Sequence, residues 1–164
     1  MSKIGKISIQ IPEKVKVLLS GTNINIEGPL GKKSLNIDLE MFDLNIKEGK
    51  EVSIKPKKID QISKRLWGMN RSLLNNAIIG ASKGYEKILE LVGVGFRATL
   101  KGKQLNLQLG FSHDVNFEIP EGIKISVEKQ TILKISGLDK QLVGMIASKI
   151  KSIRPPEPYK GKGI

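Results

Sequence analysis

The chain of 164 residues contains no cysteine. That absence excludes disulfide staples, thiolate nucleophiles and cysteine-bound metals. There is one histidine, His113, in the stretch GFSHDV. A single histidine without cysteine does not build a usual zinc site. Ser112, His113 and Asp114 are chain neighbours, but a catalytic triad needs groups that converge in space with distinct roles. A solvated turn is the simpler reading of that stretch. Gly93-Val94-Gly95-Phe96-Arg97 lacks the third glycine and the following helix of a phosphate loop. Its glycines fit a bulge or a close contact better. With no coherent set of acid, base or metal ligands, the sequence predicts a protein that is not an enzyme and has no cofactor and no metal.

Aromatic residues are only 4% of the chain. This argues against a sheet surface that stacks successive unpaired bases. No stretch approaches 18 apolar residues, so no membrane-spanning helix is predicted. The opening MSKIGKISIQIPEKV has no apolar run of the secretory kind. Neither predicted helix carries the aromatic-rich face of an interfacial membrane anchor.

What is present in excess is positive charge. Lysine and arginine number 28 against 16 acids, a formal net charge of +12. A field of that strength points to a polyanionic partner, with a solubility surface as the bland alternative. The bases are unevenly spread. Lys140, Lys149, Lys151, Arg154, Lys160 and Lys162 face a single acid, Glu157. They run into the closing PPEPYKGKGI, residues 155 to 164, where proline and glycine predict an extended, half-rigid arm outside any core. Gly161 and Gly163 would let that backbone approach a partner closely. A second basic stretch lies between 47 and 71 and includes Lys64, Arg65 and Arg71. Few aromatics beside many bases fit a protein that reads folded RNA through phosphates and 2′-hydroxyls.

Period-two alternation predicts antiparallel strands through most of the chain. Hairpins are expected to turn at Gly49-Lys50 and Gly102-Lys103. Two helices are predicted. One covers 59 to 79 with a core-facing stripe of Ile59, Ile62, Leu66, Met69, Leu73 and Ala77. Trp67 would then lie at the flank of the stripe, partly buried, with an RNA or protein contact as the alternative. The other runs from Asp139, as its cap, to Ile153, with Leu142, Met145, Ile146, Ile150 and Ile153 inward. Two peptides look alike: Ile11-Pro12-Glu13 through Gly28, and Ile119-Pro120-Glu121 through Gly137, 108 residues apart at the proline. Such a repeat suggests an internal duplication. The predicted class is therefore α+β. It comprises two similar small domains, 1–81 and 82–164, each an antiparallel or mixed sheet with one main helix on one face.

The closing PEPYKGKGI resembles the signature of the large-subunit ribosomal protein L6 family, in its bacterial or organellar form. SKIGKISIQIPEKV, LWGMNRSLLNNAIIG and GVGFRA are similar to the corresponding stretches of that family, so the resemblance spans the chain. It implies two similar α/β domains and a structural role in the large subunit. It also implies binding of the 23S-type rRNA near the sarcin-ricin loop and the translation-factor site, by the second domain and its arm. The implied partners are that rRNA and neighbouring ribosomal proteins near the stalk base, with translation factors nearby. No membrane is implied, and the protein would be a monomer within a cytoplasmic or organellar ribosome. The rRNA-binding candidates are Lys140, Lys149, Lys151, Arg154, Tyr159, Lys160, Gly161, Lys162 and Gly163. Arg97, Lys64, Arg65, Trp67 and Arg71 are candidates for a secondary RNA or protein contact. Family members usually continue past Lys-Gly-Lys-Gly with a further basic stretch, so a longer natural chain is expected. The rival reading is a basic module for membrane surfaces or nucleic acid in general.

Overall fold

A computed structural model describes residues 3–20, 23–38, 40–47, 49–58 and 60–164. The chain divides into two compact units, Met1–Gly84 and Tyr85–Ile164. Each contains six described strands and one helix, and each has its own apolar core.

In the first unit, β2 (Lys16–Ser20), β3 (Asn23–Gly28) and β4 (Gly31–Asn36) form a meander. A second sheet joins β1 (Ile9–Gln10), β6 (Glu51–Pro56) and β5 (Phe42–Lys47), in that order. The β5–β6 hairpin turns where expected, with Gly49 at a φ of 67° that suits glycine. Helix α1, Gln61–Ser82, closes this unit. Strand alternation sends Ile24, Ile26, Val52 and Ile54 into the core.

The second unit repeats the plan. β8 (Arg97–Lys101), β9 (Gln104–Gln108) and β10 (Val115–Glu118) make the meander. β7 (Tyr85–Glu90), β12 (Ile132–Gly137) and β11 (Ile123–Glu128) make the other sheet, in the order β11-β12-β7. Helix α2, Lys140–Ile153, follows. Asp139 caps it as expected, accepting a 3.0 Å hydrogen bond from the Gln141 amide. Each domain is thus sheet plus helix, though its strands are shared between two three-stranded antiparallel sheets rather than one.

The duplication is real, but the resemblance between the Ile-Pro-Glu peptides does not mark it. The order of strands matches β1 with β7, β2-β3-β4 with β8-β9-β10, and β5-β6 with β11-β12. The matching buried pairs are Ile24 and Leu105, Ile26 and Leu107, Val52 and Leu133, and Ile54 and Ile135. Each pair stands 81 residues apart rather than 108. Ile11-Pro12-Glu13 leads into a meander, whereas Ile119-Pro120-Glu121 leaves one. Two Ile-rich hairpins look alike because alternation is the rule for any half-buried strand.

The inward face of α1 also differs from the expected stripe. Buried positions are Ser63, Trp67, Asn70, Leu74, Ala77, Ile78, Gly80 and Ala81. Ile62 is 61% exposed, Met69 and Leu73 are exposed, and Leu66 is half-buried. Of the predicted stripe only Ala77 is fully buried, and Ile59 lies outside the described residues. The true face is the predicted one turned by a single position. Two polar residues disguise it. Ser63 is buried because its hydroxyl closes the helix start, accepting from the Asp60 amide at 2.9 Å and donating to the Lys58 carbonyl at 2.7 Å. On α2 the buried residues are Val143, Ile146, Ala147 and Ile150, with Leu142 and Ile153 at the flank. Met145, expected inward, is exposed.

Candidate nucleic-acid interface

The arm after α2 does not run out as an extended tail. It folds back on the second domain as a closed loop. The Ile164 amide donates to the Arg154 carbonyl at 3.0 Å, so the two ends of the loop meet. Within it, the Glu157 amide donates to the Lys162 carbonyl at 2.8 Å and the Gly161 amide to the Glu157 carbonyl at 3.0 Å. Gly163 and Val92 exchange two backbone hydrogen bonds of 2.9 Å each, a one-residue piece of antiparallel sheet. Ile164 is 8% exposed and belongs to the core of the domain. The expectation that the closing residues contribute nothing to a core therefore fails. Proline fixes φ one residue at a time and does not set the path of a segment. Gly161 and Gly163, at φ 66° and 147°, turn the chain back, and the apolar Ile164 supplies the anchor.

The two glycines differ. A Cβ on Gly163 would fall 2.6 Å from Pro156 Cα, so its close approach is to the arm itself. Around Gly161 there is open space within 4 Å, and only its positive φ asks for glycine.

Pro155 through Lys162 are all exposed. At the turn, Tyr159 is 92% exposed and is followed by Lys160, Gly161 and Lys162. The bridge to Val92 sets this turn's return limb beside the loop 91–96, whose Val94 is 94% exposed. Gly93 makes room there for the Phe96 ring: a Cβ would lie 2.8 Å from it. Arg97 is exposed at the start of β8. Lys149 and Lys151 are exposed in the last turns of α2, and Lys140 is exposed at its start. The Lys140 ammonium lies 5.9 Å from the Tyr85 ring centre. Burial, with Asp139 as a lesser cause, pushes the Tyr85 hydroxyl above its ordinary pKa.

Arg154 occupies a different setting from the lysines. It is half-buried, with its guanidinium carbon 5.2 Å from the Phe96 ring centre and 5.1 Å from that of Phe111. Its Nη1 donates to the Leu109 carbonyl at 2.7 Å. Phe96, Leu109, Phe111 and Ile164 belong to the arm's setting and were not among the site candidates of the sequence reading. Their contacts cross from the loops beside β8 and β9 to the arm, which local pattern does not reveal.

The second group of candidates is divided. Trp67 is 7% exposed, and its indole Nε1 donates to the Ile54 carbonyl at 2.7 Å. It is a core residue with a satisfied polar edge. It floors a cleft of about 280 Å³ whose rim includes Lys6, Lys55 and Lys64. Arg65 is exposed outside that lining. Arg71 is half-buried, and its Nε donates to the Ile7 carbonyl at 3.3 Å.

Among the described residues, His113 and Asp114 make separate contacts. His113 is exposed and lies over Phe111, ring centres 6.4 Å apart. Asp114 accepts from the Gln108 side chain at 3.3 Å rather than from His113. Among the described residues, no group of three or more His, Asp or Glu side chains could hold a metal ion. Nor, among them, is any helix long and apolar enough to cross a membrane.

Comparison with known proteins adds a consistent picture. The family model described as Ribosomal protein L6 matches residues 92–164, which contain the whole arm and Val92, its bridge partner. A "Large ribosomal subunit protein uL6" from Caulobacter vibrioides is 49% identical over 165 residues, covering all of this chain and 92% of that protein. Proteins of the same name from Phenylobacterium zucineum and Beijerinckia indica are 45% and 44% identical over 164 residues, again across the whole chain.

Proposed function

Because the chain belongs to the ribosomal protein L6 family, we propose that its basic arm is an rRNA-binding element of the large ribosomal subunit. The protein is a structural constituent of that subunit and not an enzyme. The finer reading is that Tyr159, Lys160, Gly161 and Lys162 form a presented turn that meets folded large-subunit RNA. Lys149, Lys151 and Arg97 would extend the positive surface around it, with Lys140 at the far end of α2. The observation that carries this reading is the turn's construction: bases and a tyrosine held fully outward on a loop whose two ends are pinned to the domain. A solubility tail needs no such pinning. Lysine ammonium groups neutralise phosphates, and Tyr159 can lie on a ribose or an exposed base. The site would lie near the sarcin-ricin loop and the translation-factor site, with stalk-base proteins as neighbours.

The test is binding to large-subunit RNA fragments across a salt series. Lys160→Ala with Lys162→Ala is expected to leave the fold intact and to lower the salt slope by roughly two. Equal binding of the parent protein to polyanions of any shape would sink the reading.

A further inference from the structure

We propose that Arg154 acts as the bolt of the arm, a positioning residue that holds the basic turn in its binding shape, rather than as a phosphate ligand. The proposal rests on the rRNA-binding reading of the turn. One residue joins three segments here. Its carbonyl receives the Ile164 amide at 3.0 Å and so closes the loop. Its Nη1 ties the loop to the Leu109 carbonyl at 2.7 Å. Its guanidinium carbon lies over the rings of Phe96 and Phe111, 5.2 and 5.1 Å from their centres. A planar cation with several fixed donors can lie on rings and donate at its edge in one geometry; a lysine ammonium has neither the flat face nor the fixed fork.

The surroundings are arranged for this occupant. Gly93 leaves space for the Phe96 ring, which a Cβ would enter at 2.8 Å. Gly110, at φ 73°, carries the chain from Leu109 to Phe111, and a Cβ there would stand 3.3 Å from the Phe96 ring. Beyond the bolt, every residue from Pro155 to Lys162 is exposed and contributes nothing to the core. The turn has two backbone hydrogen bonds of its own, from the Glu157 amide to the Lys162 carbonyl and from the Gly161 amide to the Glu157 carbonyl, but its attachment to the domain comes from its ends: Arg154 on one side, the Gly163–Val92 bridge and Ile164 on the other. If the ends let go, RNA must order the loop as it binds, and affinity falls by that cost although every lysine remains.

This gives the bolt a signature that a phosphate ligand does not share. Loss of a ligand lowers the salt slope by about one. Loss of the bolt weakens binding and leaves the slope unchanged, because the same phosphates are neutralised in the final complex. The experiment uses the full chain and folded large-subunit RNA, with Arg154→Gln, Arg154→Lys and Phe111→Leu. Phe111 is exposed, so the leucine variant removes one ring without opening the core. All three are expected to bind about tenfold more weakly with the parental slope. Amide exchange of the free protein should show faster exchange at Val92, Gly163 and Ile164, with Leu133 and Ile135 unchanged.

Two results would overturn the bolt: a slope lowered by about one in Arg154→Gln with exchange at Val92 and Gly163 unchanged, or full affinity in Arg154→Lys. The Lys160→Ala, Lys162→Ala variant serves as the separate control. If it binds like the parent, the rRNA-binding reading fails, whereas the exchange result still decides whether Arg154 holds the arm.

Discussion

At the scale of single residues, Trp67 and the two arm glycines illustrate how differently one letter can act. Trp67 meets a core, a carbonyl and a glycine at once. A Cβ on Gly5 would approach its ring within 2.6 Å, so that glycine lets the chain pass over the indole. Trp67→Ala is expected to cost about 3–5 kcal/mol, since it removes a large buried ring and leaves the Ile54 carbonyl without its donor. Urea denaturation of the full protein checks this; a loss under about 1 kcal/mol would mean the indole is not a core element. Gly161 and Gly163 share a positive φ but not a cause. Gly161→Asn should be tolerated within about 1 kcal/mol, because asparagine accepts the left-handed region and the space is open. Gly163→Ala should loosen the arm, because its Cβ would meet the Pro155–Pro156 backbone. Amide exchange at Val92 separates the two: unchanged in the first variant, faster in the second. These roles were only half legible in the sequence. A glycine in a basic tail announces backbone freedom, but not whether the close neighbour is a partner or the protein's own chain.

At the scale of elements, the strands were legible and the helix face was not. Alternation marks Ile24, Ile26, Val52 and Ile54 as inward because a strand offers only two faces. A helix offers several overlapping rows. On α1 the row Ile62, Leu66, Met69, Leu73 is more apolar by letter than the row Ser63, Trp67, Asn70, Leu74. The second wins because Ser63 is spent on the helix start and Trp67 supplies bulk and a hydrogen bond to β6. The contrast is measurable. Ile62→Lys and Met69→Gln are expected to change stability by no more than about 0.5 kcal/mol. Leu74→Ala should cost about 2–5 kcal/mol, being fully buried. The opposite ranking in thermal unfolding would restore the sequence-derived stripe. The duplication followed the same logic. The repeat of hairpins pointed to it at an offset of 108 that does not match equivalent strands, and the true spacing of 81 emerges only once the pairing order is known, since letter resemblance and topological equivalence part company among alternating strands.

At the scale of the whole molecule, the net charge of +12 was the plainest message of the sequence, and the arm's place after α2 was legible too. The arm's closure was not, because it depends on residues far apart in the chain: Val92 with Gly163, and Leu109 with Arg154. Separate cores have a consequence for how damage spreads. Each helix packs on strands of its own unit, and the two buried clusters share no residue. We therefore expect the domains to lose stability one at a time. Leu74→Ala should speed amide exchange at Ile24, Ile26 and Ile54 while leaving Leu133, Ile135 and Gly163 at parental rates. Ile135→Ala should do the reverse, and it should also loosen Val92, because the arm docks on that core through Ile164. Binding to folded large-subunit RNA should follow the second domain: the affinity of Leu74→Ala stays parental and that of Ile135→Ala falls, with the salt slope parental in both, since neither removes a base. If Leu74→Ala instead accelerates exchange at Leu133 and Ile135 to a similar degree, the two cores unfold as one cooperative body, and the arm's fitness for RNA depends on both.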